Sequence, residues 1–195
     1  ASGTVGQYFY NGDGQRVKKV VPSTGETTVF VYDASNKLVA EYSTIVEPAS
    51  TEKTSYFTND HLGSPRINTD AGGAVIARHD YLPFGEEIQS GTGERNSVQG
   101  YSGQDSIRQK FTGYERDAET DLDFAQARMY GFSHGRFMSV DPYNPFLGFF
   151  GYDFDNSNLR ISQFISQPQY WNRYIYSVNN PLKFVDRDGE HPVAA

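Results

Sequence analysis

The feature that most constrains the fold is a pair of similar segments, residues 10–17 and 32–39, which align at an offset of 22 residues. Each segment places an Asp/Asn-rich turn between an aromatic stretch and an apolar stretch, with Gly14 and Asn36 at equivalent positions. Glycine and asparagine tolerate the positive φ that short hairpin turns require. One hairpin cannot bury both of its faces, so repeated hairpins predict a larger antiparallel sheet.

The same spacing continues further along the chain, because Tyr56 and Tyr81 follow Tyr32 at similar intervals. The 19 glycines and 9 prolines are spread out, which indicates many turns between short strands. Alternation predicts that Phe30 shares one face with Tyr32, and that the valines on either side of Phe30 share the opposite face. We therefore predict an all-β fold in which repeated hairpins form a curled, spiralling antiparallel sheet, followed by an irregular C-terminal region.

Charge and composition exclude several classes of function. The net charge of −7 and the scattered basic residues disfavour binding of nucleic acid. No apolar run approaches the roughly 20 residues of a membrane span. Cysteine is absent, which removes disulfides and thiolate chemistry. There is no phosphate-binding or dinucleotide-binding fingerprint, and no histidine pair at zinc-helix spacing, so neither a cofactor nor a metal is predicted.

The chain divides into four predicted parts. Residues 1–88 hold the hairpin repeats, 89–106 form a surface loop, 107–190 form a second structured region with a long insertion at 143–170, and 191–195 are a tail. Residues 122–130 are ambiguous, because the Ala-Gln-Ala-Arg-Met stretch has helical propensity while its flanks have strand character.

Five blocks in the rest of the sequence resemble the RHS-repeat-associated core of bacterial RHS/YD-repeat proteins, and they occur in that family's order. The blocks are 60–66 (DHLGSPR), 81–86 (YLPFGE), 111–117 (FTGYERD), 135–142 (GRFMSVDP) and 172–181 (NRYIYSVNNP), the last continuing to residue 189. The two segments at 10–17 and 32–39 are similar to the family's YD repeats.

This resemblance implies that the chain is a shell or plug module of a polymorphic toxin or a secreted or cell-surface bacterial protein. In the family, repeats wind into a hollow β-shell around a downstream effector, and the core region plugs one end. The implied partners are the rest of the parent shell and that effector. A piece of shell also has open strand edges, which predict edge-mediated self-association or a closing arrangement of the strip.

The resemblance also implies a possible self-cleaving site. Many family members cut themselves with two aspartates, which map here onto Asp141 and Asp186, with Asp188 as an alternative. Paired carboxylates can share a proton, so that one acts as an acid and the other as a base. Arg136 matches a family arginine that could hold a carboxylate. The implied scissile bond joins Glu190 to His191, although Glu190 replaces the family's usual leucine.

Three alternatives stay open at this point. Asp141 and Asp186 could be turn residues that only accept backbone hydrogen bonds. The insertion at 143–170 could carry an acquired hydrolase activity, since long loops on rigid sheets often carry function. Exposed tyrosines and Trp171 could form a surface module that binds carbohydrate.

Overall fold

The two similar segments each lie at the turn of a β-hairpin in the computed structural model, which describes residues 3–35, 38–45, 54–101, 107–142, 165–190 and 192–195. Together the hairpins make a four-stranded antiparallel sheet of β1 (Gln7–Tyr10), β2 (Arg16–Val21), β3 (Glu26–Tyr32) and β4 (Leu38–Ser43), in that spatial order. The predicted hairpin repeat is therefore confirmed.

Three further antiparallel sheets complete the described part of the chain, and none of them closes into a barrel. They contain β5 (Ser55–Asn59), β6 (Pro65–Asp70) and β7 (Val75–Arg78); β8 (Glu115–Asp117), β9 (Leu122–Ala125), β10 (Arg128–Gly131) and β11 (Arg136–Phe137); and β12 (Phe184–Asp186) with β13 (Pro192–Ala194). Short 3-10 turns are η1 (Ser97–Gln99), η2 (Phe111–Gly113), η3 (Pro168–Trp171) and η4 (Ser177–Asn179). The predicted all-β class is confirmed.

One turn chemistry recurs between strands. The Oδ1 atom of Asn11 accepts backbone N–H groups two and four residues further on, and Gly14 closes the turn at φ +78°. Asp60 and Gly63 repeat this arrangement between β5 and β6. A side chain that bonds its own downstream backbone, with glycine at positive φ, fixes the turn locally. Asn36, the predicted equivalent of Gly14, lies outside the described residues.

The first sheet buries charged side chains beside apolar ones on one face and exposes an apolar opposite face. Phe30 is buried, whereas Val29 and Val31 are exposed, so the predicted alternation along β3 is confirmed. The buried face also holds Arg16 and Lys19, both in β2.

Ion pairs join that buried face to the second four-stranded sheet. The two terminal nitrogens of the Arg16 guanidinium, Nη1 and Nη2, donate to the carboxylate of Asp117 in β8, at 2.7 Å and 2.8 Å. Lys19 lies 3.2 Å from the same carboxylate, and the Arg16 guanidinium stacks 3.9 Å from the centroid of the Phe124 ring. Charged groups this deeply buried need such partners, so these contacts hold the two sheets together.

The main core consists mostly of aromatic rings from the second half of the chain, together with three aliphatic side chains. Its buried members are Leu62, Phe111, Tyr114, Ala125, Tyr130, Phe137, Tyr176 and Val185. Tyr130 and Tyr176 are central, with ring centroids 4.7 Å apart. The Tyr130 hydroxyl donates to the backbone oxygen of Phe84 at 2.7 Å, as a buried tyrosine requires.

The ambiguous stretch 122–130 is resolved as two strands, because its side chains pack between sheets and this overrides helical propensity. The described part of the predicted loop 89–106 is tied to β7, since the N–H group of Arg78 donates to Gly100. Most of the predicted insertion 143–170 lies outside the described residues. No helix among the described residues is long and apolar enough to span a lipid bilayer.

Candidate aspartate site

A buried arginine, Arg128, is the centre of the site. It opens β10 directly after the tight turn that follows β9, where Gln126 adopts φ +57° and Ala127 donates its N–H group to the backbone oxygen of Asp188 at 3.0 Å. The register pairs Arg128 with Ala125, so the hairpin directs the arginine side chain into the space beneath the C-terminal segment. The ring of Phe137 lies 3.6 Å from its guanidinium carbon.

Arg128 brings the two predicted aspartates together. Its Nη2 atom lies 3.1 Å from Oδ2 of Asp141 and 3.3 Å from Oδ2 of Asp186. The two carboxylate oxygens are therefore no farther apart than the sum of these distances. The side chains of Arg128 and Asp186 are 1% and 2% exposed, whereas that of Asp141 is 21% exposed. The pair is thus unequal, with one carboxylate buried and one partly open to water.

Two backbone contacts pin Asp141 just beyond β11. Its N–H group donates to the backbone oxygen of Arg173 at 3.0 Å, and its own carbonyl oxygen accepts a hydrogen bond from the Arg173 guanidinium. The backbone oxygen of Arg173 also accepts from Arg128 at 3.1 Å. The segment that contains Asp141 is therefore fixed to the segment that follows η3.

Asp186 ends β12 against the aromatic core. Its backbone oxygen accepts a hydrogen bond from the buried Tyr114 hydroxyl. Burial raises the pKa of Asp186 to about 6; Arg128 opposes this rise, and the nearby carboxyl group of Asp188 adds to it. A carboxyl group with this pKa is largely protonated in mildly acidic solution while remaining beside a second aspartate.

The turn after Asp186 presents the predicted cleavage position. The Oδ1 atom of Asp188 accepts the N–H group of Glu190 at 2.9 Å, and the backbone oxygen of Gly189 accepts from Nε of Arg128. Gly189 has φ +76°, and a Cβ atom there would lie 2.4 Å from the backbone oxygen of Ala125. Close backbone packing therefore fixes this position, and the chain resumes as β13 alongside β12. His191 lies outside the described residues.

Arg136 is placed differently from the expectation that it would hold a carboxylate. It is exposed, its backbone bridges to Ile175, and it makes no ion pair with another described residue. Arg128 is the arginine that contacts Asp141 and Asp186. Sequence reasoning missed Arg128, because it lies in the stretch of ambiguous helix or strand character and its orientation depends on a hairpin turn.

The arrangement can act in two ways. Two carboxyl groups beside a guanidinium, one buried and one partly exposed, are the parts of an aspartate dyad, and Arg128 also holds the chain one residue before the implied bond. Equally, Arg128 satisfies two carboxylates and two backbone carbonyls, which is the pattern of a structural clamp. Among the described residues, no group of three or more His, Asp or Glu side chains is placed to hold a metal ion.

Exposed aromatics also occur, as the carbohydrate-binding alternative requires. Tyr170, Trp171 and Tyr174 are exposed around η3. Residues 143–164, which precede η3 in the sequence, lie outside the described residues, and carbohydrate binding remains a prediction.

No protein-family model matches the chain. Among curated proteins, it is 30% identical over 131 residues to salivary gland surface protein 1 of Aedes aegypti, covering 67% of this chain and 3% of that protein. It is 28% identical over 194 residues to the tRNA nuclease WapA of Bacillus subtilis (strain 168), covering 96% of this chain and 7% of that protein. The chain thus spans less than a tenth of the length of these relatives.

Solved structures with the same fold belong to toxin complexes. The chain matches TcdB2-TccC3 with a TM-score of 0.60 and 21% identity, covering 94% of this chain and 9% of that chain. It matches the Photorhabdus luminescens Tc holotoxin pore with a TM-score of 0.60 and 21% identity, covering 97% of this chain and 9% of that chain. The fold is therefore shared with Tc toxin components.

Proposed function

We propose that this chain is a structural segment of the shell of a secreted or cell-surface bacterial RHS-repeat protein. Its partners would be the neighbouring shell segments and an effector encoded downstream. The fold shared with Tc toxin components supports this proposal. The observation that carries it concerns the first sheet, which exposes an apolar face and outer strand edges that neighbouring segments would cover.

The apolar face runs across all four strands. The register aligns Phe9, Lys18, Val29 and Tyr42 in one row, and the three members other than Lys18 are exposed. The Lys18 ammonium nitrogen lies 5.3 Å from the centroid of the Phe9 ring, so its stem also covers apolar surface. Contiguous exposed apolar surface on a sheet usually marks a surface that another element covers.

The strand edges are open as well. Within the described residues, neither β1 nor β4 pairs with a further strand on its outer side, and neither does β5. Open edges present unpaired backbone donors and acceptors that template pairing with another strand. A segment of a longer β-strip needs such edges, since adjoining hairpins continue the ladder.

Self-association of the isolated chain tests this proposal. We expect sedimentation velocity to show concentration-dependent oligomers, because copies would cover the surfaces that neighbouring segments normally cover. Tyr42→Lys, which places a charge on a 65% exposed position of the apolar face, should shift the distribution towards monomer. Val98→Lys is the matched control, since Val98 is 96% exposed and lies in η1, away from that face. A chain that stays monomeric at all concentrations would contradict the proposal.

A second candidate function is self-cleavage after Glu190 by the Asp141 and Asp186 pair. What favours it is the convergence of both carboxylates on Arg128, with the pKa of Asp186 raised to about 6 by burial. In this candidate one aspartate activates water and the other protonates the leaving nitrogen. The division at residue 190 between a structured region and a tail remains part of this proposal.

The intact mass of the purified chain tests the second candidate. The uncut chain has a mass of 21.9 kDa. Loss of the mass of residues 191–195, abolished by Asp141→Asn and retained in Asp13→Asn, would support a working dyad. Asp13 is a fair control because its side chain is exposed in the first hairpin turn. An unchanged mass under mildly acidic and neutral conditions would contradict self-cleavage and would mean that Arg128, Asp141 and Asp186 have only a structural role.

A further inference from the structure

The bond between Asp141 and Pro142 is the only Asp-Pro bond in the sequence. An X-Pro bond is a tertiary amide, and its nitrogen is a better leaving group once protonated than that of an ordinary peptide. The aspartate carboxylate before it can reach its own main-chain carbonyl carbon through a five-membered ring. Such intramolecular attack benefits from high effective concentration.

The structure polarises the carbonyl group of this bond. The Arg173 guanidinium donates a hydrogen bond to the backbone oxygen of Asp141, while the Asp141 N–H group is held by the Arg173 backbone oxygen at 3.0 Å. A cation fixed on a carbonyl oxygen stabilises the negative charge that develops when the carbon is attacked. Arg173 is thus placed as an oxyanion-stabilising group at this bond.

A second arginine, Arg128, contacts both a candidate nucleophile, Asp141, and a candidate proton donor, Asp186. Oδ2 of Asp141 and Oδ2 of Asp186 are 3.1 Å and 3.3 Å from the same Nη2 atom of Arg128. An arginine keeps its charge at any relevant pH, so Arg128 holds the Asp141 carboxyl group by an ion pair. Burial raises the pKa of Asp186 to about 6, so its carboxyl group still carries a proton in mildly acidic solution. The charged and titratable groups that face Asp186 are Arg128, Asp141, Asp188, Tyr114 and Tyr176.

From these contacts we propose that the chain cleaves itself between Asp141 and Pro142. An ionised Oδ atom of Asp141 attacks the main-chain carbonyl carbon of the same residue and closes a cyclic anhydride. The C–N bond to Pro142 breaks, and its nitrogen takes the proton of Asp186. Water then opens the anhydride to two carboxyl groups. Of the two protons they release, one restores Asp186 and the other protonates the new amino terminus.

The cut would nick the module without releasing either piece. The segment after the nick contributes Tyr176 and Val185 to the main core, and both are completely buried. Its backbone also holds the first piece, since Tyr174 accepts the N–H group of Phe137 at 2.9 Å. The proposal does not depend on a shell role or on cleavage after Glu190, because it concerns a different bond and a different nucleophile.

The experiment follows the full chain at about pH 5, below the Asp186 pKa of about 6, with denaturing intact-mass measurement over days. We expect a C-terminal fragment that begins with Pro142, formed more slowly as the pH rises through 6. Pro142→Ala, at an exposed position, replaces the labile amide and should slow the cut by tenfold or more, on the order of one proton-transfer contribution. Asp141→Glu keeps the charge but needs a larger ring and should slow it similarly.

Three results would overturn the proposal, and a comparison of the folded and the unfolded chain separates it from ordinary acid lability. The Asp141–Pro142 bond should break faster in the folded chain than in the same chain unfolded in urea at equal pH. Only the folded chain brings Arg173 and Asp186 close to Asp141. Equal rates in both states, or an intact Asp141–Pro142 bond, would refute the built site. A cut found only after Glu190 would support the dyad candidate and refute this one.

Discussion

Replacing Asp117 by asparagine tests whether buried charges hold the two four-stranded sheets together. Asp117 is completely buried and accepts three contacts, two from Arg16 at 2.7 Å and 2.8 Å and one from Lys19 at 3.2 Å. Asparagine has nearly the same volume, so the substitution removes charge without opening a cavity. The guanidinium and ammonium groups then stay buried with less compensation.

The expected loss of stability follows from that imbalance. Removing one partner of a buried ion pair costs roughly 3–5 kcal/mol, because the remaining charge is uncompensated. Arg16 also lies 3.8 Å from Glu115, and Lys19 lies 3.5 Å from Glu119. These neighbours recover part of the interaction, so we place the loss for Asp117→Asn at about 3 kcal/mol, at the lower end of that range.

Urea unfolding followed by far-UV circular dichroism measures this loss. Asp13→Asn, at an exposed turn position, should change the free energy of unfolding by less than about 0.5 kcal/mol. A double variant, Arg16→Met with Asp117→Leu, should regain much of the stability, since apolar pairs often replace buried ion pairs at little cost. A loss below about 1 kcal/mol for Asp117→Asn would refute the view that this contact joins the sheets.

Three further predictions concern single buried groups. Burial raises the pKa of Glu115 to about 7, so the folded protein binds a proton at Glu115 more tightly than the unfolded protein does. This contribution to stability is complete below about pH 4.5 and is lost as the pH rises through 7. Glu115→Gln should therefore flatten the pH dependence of the urea midpoint between these two pH values. Gly189→Ala should lower the melting temperature more than Gly14→Ala, because both glycines have positive φ but only Gly189 meets backbone at 2.4 Å; equal losses would mean that close packing is unimportant. Tyr130→Phe should cost about 1–2 kcal/mol in urea unfolding by leaving a buried carbonyl oxygen without its donor, and an unchanged value would show that water takes its place.

Local features of the fold were predictable from sequence because local chemistry decides them. The hairpin turn at Asn11 depends on its own Oδ1 atom and on Gly14, three residues away. The faces of β3 follow from strict alternation around Phe30. Both signals lie within one turn or one strand, so no knowledge of distant partners was needed.

Contacts between distant segments were not predictable in this way. Arg16 and Asp117 are 101 residues apart, and nothing in the sequence near either residue marks them as a pair. A strand with Arg16 and Lys19 on one face would ordinarily be read as exposing that face to water. The sheet instead buries Arg16 and Lys19, because Asp117 in the opposing strand β8 pairs with both of them.

The aspartate site was predictable in part from local motifs and depends in part on contacts between distant segments, and its charge balance explains its chemistry. The motif resemblance pointed to Asp141 and Asp186, but the cation between them comes from Arg128, whose position depends on the β9 to β10 turn. One permanent positive charge can fully compensate only one of two ionised carboxylates. Burial raises the pKa of Asp186 to about 6, so this buried member carries a proton in mildly acidic solution, while Asp141 is partly exposed to water. Any chemistry at this site should therefore use Asp141 as the base or nucleophile and Asp186 as the acid, whichever bond is cut.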